Sequence, residues 1–454
     1  MSDSIVKADA LVSWLKANGG HFHPSAKLQI DEITGLSAFS TGPIASDERL
    51  VSCPFELAVT SGLATQAVCE TVAVEEEELV WPAGSSKAGE AWNERMRIGA
   101  YLGLHWVYQD KKDSQWPPAL AHLTYLDSLP NSSDLTTPLY FSDAELGLLS
   151  GSNLLGAVED RKREWKAESE VVRSVLKQDG LTWDRYLAIA TYMSSRSFPS
   201  KLLELPDNGG SATHSAGVRE VSQPVLLPGV DIFNHARGQP ITWLSTLTTS
   251  SSGTPTPSIS LVTVQVTGAN AQLFNNYGAK PNEELLLGYG FVLDSNPDDI
   301  VNLRLGTSQI PPAALKRLEA KGLDASKVFE LRRDGEVDKG LLDVLRTMLG
   351  EDNGEDEVDE EDEHGHHEHE TKEMQLEMDV LGMLGGMLDG KLEKLQEGAN
   401  VEVSEARKEV RQMCEVYRQG QVDILNAAMD KLAERIERIE GLLDEGMGGC
   451  PCGC

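Results

Sequence analysis

The sequence predicts an α+β protein in two parts: a first part of small β-sheets interrupted by a helical insert, and a helical C-terminal domain. Three observations predict this. Between Leu28 and Thr60 the apolar residues come in short runs broken by Gly35, Gly42-Pro43 and Pro54, the pattern of several small strands joined by tight turns. From about Ala91 to Gly180, Trp92, Met96, Ile98, Leu102 and Leu104 recur at helical spacing, and Glu145–Leu149 and Arg161–Leu176 also read as helix. After Asn296-Pro297 the chain turns helical and stays so, apart from an acidic block from Glu351 to Glu370 that contains no Lys or Arg.

Taken in order, residues 1–19 form an N-terminal helix, because Ile5, Ala8, Leu11, Val12 and Leu15 share a face and Gly19-Gly20 stops it. The sheet domain is expected over 20–295, with its insert at about 88–190, where Trp116-Pro117-Pro118, Leu129-Pro130 and Thr137-Pro138-Leu139-Tyr140 break the helices. Two polar stretches, Pro206–Gln223 and Thr246–Ser258, read as loops. Leu261–Val266 alternates as a half-buried strand, and Leu285–Leu287 fits another short one. A helical domain is expected over 296–445, interrupted by an acidic disordered loop at 350–371. Its final helix spans about Val403–Leu443, with Val410, Met413, Tyr417, Val422, Leu425, Met429, Leu432 and Ile436 on its apolar face. Residues 446–454 form a Cys-rich tail.

Composition narrows the function. A chain of 454 residues with 40% hydrophobic residues supplies at least one large core. A formal net charge of −32 argues against direct nucleic-acid binding, which needs clustered Lys and Arg, and favours a basic protein or peptide partner. No run approaches the roughly 20 apolar residues of a membrane span, and Met1-Ser2-Asp3-Ser4 lacks the basic start of a secretory signal. A soluble cytoplasmic protein is expected, with entry to the nucleus left open; the oligomeric state is not set by the sequence. Cys53, Cys69 and Cys414 are isolated, and Cys450, Cys452 and Cys454 lack the second ligand pair of a zinc site. His364, His366, His367 and His369 among the carboxylates read as part of a solvated loop, so no metal site is assigned.

The candidate chemistry lies in four stretches. Asp231-Ile232-Phe233-Asn234-His235 is followed about forty residues later by Phe274-Asn275-Asn276-Tyr277-Gly278, which continues through Asn282, Glu283, Glu284 and Leu285 to Tyr289-Gly290-Phe291. Upstream stand Ser195-Arg196-Ser197-Phe198 and Glu32-Ile33-Thr34-Gly35-Leu36-Ser37-Ala38. Each has a plainer reading: Tyr277 as a core tyrosine before a turn glycine, Asn234 as a cap, Asp231 as a structural acceptor, Arg196 as a salt bridge, Gly35 as a turn, and Tyr289 and Phe291 as core.

Together these stretches resemble a SET methyltransferase domain, in which the chain threads under itself so that an Asn-His pair and a Tyr meet between cofactor and substrate. The Ser-Arg-x-Phe element, the Trp116-Pro117 and Thr137-Pro138-Leu139 landmarks, and Tyr417-Arg418-Gln419-Gly420-Gln421 resemble the Rubisco large-subunit methyltransferase branch, over about residues 20–445. The resemblance implies a SET fold with a pseudoknot, a helical insert and an all-helical C-terminal domain that helps select substrate. It implies S-adenosyl-L-methionine as cofactor. Tyr277 takes the catalytic position, against the sulfonium and methyl. Asn234 and His235 contact the cofactor, His235 through its main chain, and Arg196 suits its carboxylate. Glu32, Gly35 and Leu36 occupy the cofactor's glycine-rich segment, although the usual run is reduced here to Gly35. Tyr289 and Phe291 line the channel of the target side chain.

That chemistry needs a neutral amine. A Lys with an ordinary pKa of about 10.4 must lose its proton before attack, so the protein has to position and desolvate. Members of the branch modify ribosomal proteins in fungi, Rubisco in plants and one actin histidine in animals. The expectation is a protein-lysine N-methyltransferase acting on a non-histone target, foremost a ribosomal protein. A protein-histidine N-methyltransferase on the same scaffold, or a non-catalytic acidic binding protein that keeps the fold, stands as the alternative.

Overall fold

The computed structural model describes residues 3–111, 115–206, 210–215, 222–249, 255–306, 310–350, 363–399 and 405–448. Its contacts divide the chain into two units: Met1–Leu135 with Glu159–Ala279, and Thr136–Val158 with Lys280–Cys454. The boundary expected at 295/296 thus falls at 279/280, and residues 136–158 of the expected insert belong to the second unit. Long-range contacts set that division, and sequence order does not display them.

Among the described residues the first unit holds nine short strands: β1 His21–Phe22, β2 Ala26–Asp31, β3 Gly35–Ser40, β4 Arg49–Pro54, β5 Ser197–Pro199, β6 Ala212–Ser215, β7 Pro224–Leu226, β8 Ile241–Thr249 and β9 Pro255–Thr263. Five form an antiparallel sheet in the order β1-β4-β9-β8-β6, while β2–β3 and β5–β7 pair separately. Two expected loops contribute strands here: Ala212–Ser215 of Pro206–Gln223 forms β6, and Thr246–Ser258 supplies parts of two more. Thr246–Thr249 ends β8 and Pro255–Ser258 begins β9, because β-branched Thr alternating with Leu247 and Ile259 fits a pleated strand as well as a polar loop. Residues 250–254, 207–209 and 216–221 of those stretches lie outside the described residues. The strand expected over Leu261–Val266 stops at Thr263, leaving Val264 and Val266 exposed.

Helices Ser61–Val72, Glu94–Asp110 and Trp183–Arg196 start at Thr60, Asn93 and Thr182, whose side chains accept the N–H groups of Leu63, Met96 and Arg185. A buried polar cluster joins the second of these to the helix Leu123–Ser128. The His122 N–H donates to His105 Nε2 (3.1 Å), and His105 Nδ1 faces the Tyr101 carbonyl (3.0 Å). His122 Nε2 faces the Leu57 carbonyl (3.1 Å), and the Tyr101 hydroxyl lies 2.6 Å from His122 Nδ1. A carbonyl only accepts and a backbone N–H only donates, so the His105 ring has one donating and one accepting nitrogen and is neutral, while His122 donates from Nε2. Burial pushes both imidazoles down to about 4.

The second unit is mainly helical: Asp143–Gly147, Asn282–Tyr289, Pro312–Ala320, Lys339–Leu349, Glu363–Ala399 and Lys408–Gly448. It is not all-helical, because β10 Ile300–Leu303 pairs antiparallel with β11 Phe329–Arg332. Each has four residues and buries alternate side chains, too short a period-two signal to stand out among helices. Conversely, Leu285–Leu287 is helix rather than strand. Glu283 and Glu284 occupy its first turn, and Gly290 ends it with φ +81°. An apolar run of three fits a buried helix as readily as a buried strand. Of the expected acidic loop, residues 351–362 lie outside the described residues, and from Glu363 the chain is helix. The tail Cys450, Cys452 and Cys454 also lies outside them.

The last two helices pack together around Leu381, Leu384, Leu388, Leu392, Ile424, Leu425 and Leu432. The final helix begins at Lys408, just after Arg407, whose guanidinium grips Glu145 at 2.8 and 3.0 Å and holds that carboxyl down to about 2. Its buried face runs through Val410, Cys414, Tyr417, Gln421, Leu425, Ala428 and Leu432, with Met413, Val422, Met429 and Ile436 half-buried beside it. Among the described residues no helix is long and apolar enough to cross a membrane.

Candidate active site

The segment Leu273–Tyr277 lies between two others and bonds to both. The Leu273 N–H donates to the Ala38 carbonyl of β3 (2.8 Å), the Asn275 N–H to the Asn234 carbonyl (2.8 Å), and the Ala236 N–H to the Asn275 carbonyl (3.0 Å). This crossing brings distant motifs together. His235 and Tyr277 stack with ring centroids 5.0 Å apart and planes 21° apart, and the Tyr277 N–H donates to His235 Nδ1 at 3.0 Å. That nitrogen is therefore an acceptor. The Tyr277 hydroxyl donates to the Phe233 carbonyl at 2.9 Å. A hydroxyl whose proton is committed to a carbonyl presents its lone pairs to whatever else approaches.

Asn234 ties the crossing to the β2–β3 hairpin: its Nδ2 donates to Ser37 Oγ (2.8 Å) and to the Thr34 carbonyl (3.3 Å). Asn275 is fully buried. Its Oδ1 accepts from Trp243 Nε1 and the Asn276 N–H, both at 2.8 Å, while its Nδ2 has no hydrogen-bond partner among the described residues.

Behind the crossing sits Asp231, 6% exposed, in a turn that Gly229 makes with φ +82°. A Cβ at residue 229 would lie 2.8 Å from Leu15 Cδ2, so both the conformation and the packing demand glycine there. Tyr125 donates its hydroxyl to Asp231 Oδ2 (2.8 Å). Arg196 Nη1 donates to the Asp231 carbonyl (3.0 Å) and stands 3.6 Å from the same Oδ2. Burial raises the Asp231 carboxyl above its ordinary range, and Arg196 and then Tyr125 oppose that rise. Burial alone would lower the Arg196 guanidinium, but Asp231 and the surrounding phenols outweigh it and raise it. The plainer reading of Arg196, a salt bridge, is therefore real, yet it uses one nitrogen of the guanidinium and leaves the side chain 23% exposed.

The expected site residues are not all gathered here. Asn234, His235 and Tyr277 meet, and Arg196 reaches them through Asp231. Glu32 and Gly35 are exposed at the hairpin turn, where Asp31 Oδ1 accepts from the N–H groups of Ile33 and Thr34. A Cβ on Gly35 would meet nothing within 4 Å. Leu36 is half-buried opposite Ile30. Tyr289 and Phe291 belong to the second unit, edge-to-face with centroids 6.1 Å apart. Asn282 serves that unit too: its side chain bonds Leu293 both ways, and its N–H donates to Asp299. The residues not anticipated are Ser37, Tyr125, Asn275 and the Phe233 carbonyl. Ser37, Asn275 and Phe233 stood inside the motifs above, but nothing in their spacing marked those atoms.

The fold matches that of the SET domain of LSMT bound to lysine and AdoHcy, with a TM-score of 0.67 over 97% of this chain and 94% of that one, at 16% identity. Rubisco LSMT bound to AdoMet matches equally well, at 18% identity. This chain has the SET fold. The SET match accounts for the crossing, the insert and the helical region after it. Among curated proteins, the ribosomal lysine N-methyltransferase set10 of Schizosaccharomyces pombe is 31% identical over 270 residues, 59% of this chain and 42% of its own length. Ribosomal lysine N-methyltransferase 1 of Saccharomyces cerevisiae is 28% identical over 40% of this chain and 34% of its own length. An actin-histidine N-methyltransferase of Gallus gallus is 25% identical over 46% and 33%. The matched stretch thus spans less than half of these curated relatives. No family model matches the chain.

The donors at the SET site suit S-adenosylmethionine. Arg196 keeps N–H groups beyond those used on Asp231, which fits a carboxylate. Asn275 Nδ2 is a buried donor left unmatched at the crossing, and such groups are rare in folded proteins.

Proposed function

We propose that this protein is an S-adenosylmethionine-dependent protein-lysine N-methyltransferase acting on a basic non-histone protein, with a ribosomal protein as the target the relatives favour. One observation carries the reading: the Tyr277 phenol, stacked on His235, has its proton fixed on the Phe233 carbonyl. The cofactor supplies an electrophilic methyl group. Arg196 would hold its carboxylate, with Asn234 and His235 holding the rest. Tyr277 offers oxygen lone pairs to an amine N–H or a polarised methyl C–H, contacts that orient the reacting groups. The phenol cannot swing, because its hydroxyl and its N–H are both tied into the crossing. Within the second unit, Tyr289 and Phe291 form an edge-to-face aromatic pair of the kind that packs a lysine stem. The net charge of −32 attracts a basic partner and repels nucleic acid. A cytoplasmic site of action goes with that reading.

A second reading, histidine methylation, is favoured by the actin-histidine relatives. Labelled methyl transfer into a host extract, followed by mass spectrometry of the labelled band, separates the two. Label on a lysine of a basic protein is expected. Label on imidazole would move the assignment to histidine, and no transfer together with no binding of S-adenosylhomocysteine would leave a scaffold protein.

A further inference from the structure

Tyr125 lies on the short helix Leu123–Ser128, more than a hundred residues from Asp231 in sequence. Its ring is fully buried, and a buried phenol needs one acceptor. A backbone carbonyl is enough for that purpose, as the Tyr192 hydroxyl shows on the Pro130 carbonyl in the same unit. Tyr125 instead donates to a buried carboxylate. A hydrogen bond to a charged acceptor is about twice as strong as a neutral one, but the carboxylate is costly to bury. Arg196 holds the same residue from the helix Trp183–Arg196, through the carbonyl at 3.0 Å and the carboxylate at 3.6 Å. Two side chains from separate helices thus clamp Asp231, two residues before the Phe233 carbonyl that fixes Tyr277.

We infer that Tyr125 is a positioning residue for the cofactor site. By donating to Asp231 it fixes the carboxylate that aims Arg196, and with it the turn that carries Phe233 and Asn234. Its hydrogen bond goes to Asp231, and beyond that it acts on Arg196 only through the charge field around the pair, so its contribution reaches the cofactor-facing groups chiefly through Asp231. The inference rests on reading the site as one for S-adenosylmethionine.

The test measures S-adenosylhomocysteine binding by calorimetry, alongside steady-state kinetics and melting temperature. Tyr125→Phe is expected to weaken binding about 10-fold and to raise the cofactor KM to match, with kcat within about 2-fold. Tyr101→Phe, which removes an equally buried hydroxyl from His122, is expected to lower the melting temperature and leave binding unchanged. On an Asp231→Asn background, Tyr125→Phe is expected to cost less than about 2-fold, because the two residues act as one unit. If Tyr125→Phe does not fold, 3-fluorotyrosine at position 125 keeps the volume and donates more strongly, so it is expected to bind at least as tightly as the wild type. Wild-type affinity in folded Tyr125→Phe, an undiminished loss on the Asp231→Asn background, or weaker binding with 3-fluorotyrosine would each overturn the inference. A wild-type protein that does not bind S-adenosylhomocysteine would instead overturn the reading of the site itself.

Discussion

Two buried phenols in the first unit meet opposite partners. Tyr101 joins a cluster of neutral imidazoles, with every nitrogen matched to a carbonyl, an N–H or the phenol itself. Tyr125 joins an ion pair, with Asp231 2% and Arg196 23% exposed at the side chain. The same physics acts on both, since burial disfavours the charged form of histidine and of aspartate alike. At the imidazoles it wins, and the neutral cluster joins the helix Glu94–Asp110 to the helix Leu123–Ser128. At Asp231 a guanidinium opposes it, and the pair lies beneath a surface where a ligand can reach Arg196. A buried pair kept at such a cost points to use rather than to packing.

The contrast can be broken in four ways. Asp231→Ala leaves Arg196 without its counter-charge and is expected to cost about 3–5 kcal/mol of stability in denaturant titration. A loss under about 1 kcal/mol would mean that water already reaches the pair. Acid should break the imidazole cluster. Both rings titrate near 4 when folded against about 6.5 when unfolded, so the unfolded chain binds more protons between those values. Their contribution is therefore complete above pH 6.5 and is lost as pH falls towards 4, on the order of 3 kcal/mol for each ring taken alone. A flat stability profile across that window would show that the rings charge without unfolding. Tyr277→Phe is expected to slow methyl transfer by about 10²-fold, near 2.7 kcal/mol, while S-adenosylhomocysteine binding changes little. Full activity in that variant would remove the phenol from the reaction. Smallest of all, Glu32→Gln at the open hairpin turn is expected to stay within about 0.5 kcal/mol in stability and about 2-fold in cofactor affinity. A larger drop in affinity would bring that turn into the site.

The crossing was legible because its side chains have distinctive types in a fixed order: Asn234-His235, then Tyr277-Gly278. What the sequence hid were atoms without a residue signature, such as the Phe233 carbonyl, and partners that only folding brings near, such as Tyr125 and Ser37. The fold was misread where a local pattern admits two answers. Leu285–Leu287 fits either a buried strand or a buried helix, and β10 and β11 are too short to announce themselves. The face of the last helix was read in part: Val410, Tyr417, Leu425 and Leu432 are buried as expected, and Cys414, Gln421 and Ala428, which do not count as strongly apolar, are buried beside them. Gln421 is matched there by the Ile300 carbonyl at 2.8 Å.

Gly290 carries a practical consequence. Its φ is +81°, a Cβ there would lie 2.6 Å from Thr136 Oγ1 and 2.9 Å from the Thr137 nitrogen, and its carbonyl accepts from Thr136. A saturation library over positions 289–291 would therefore tolerate change unevenly. If Tyr289 and Phe291 line the target's channel as proposed, they are the positions to trade in redirecting specificity, whereas the residue between them has no permissible replacement and should be left alone.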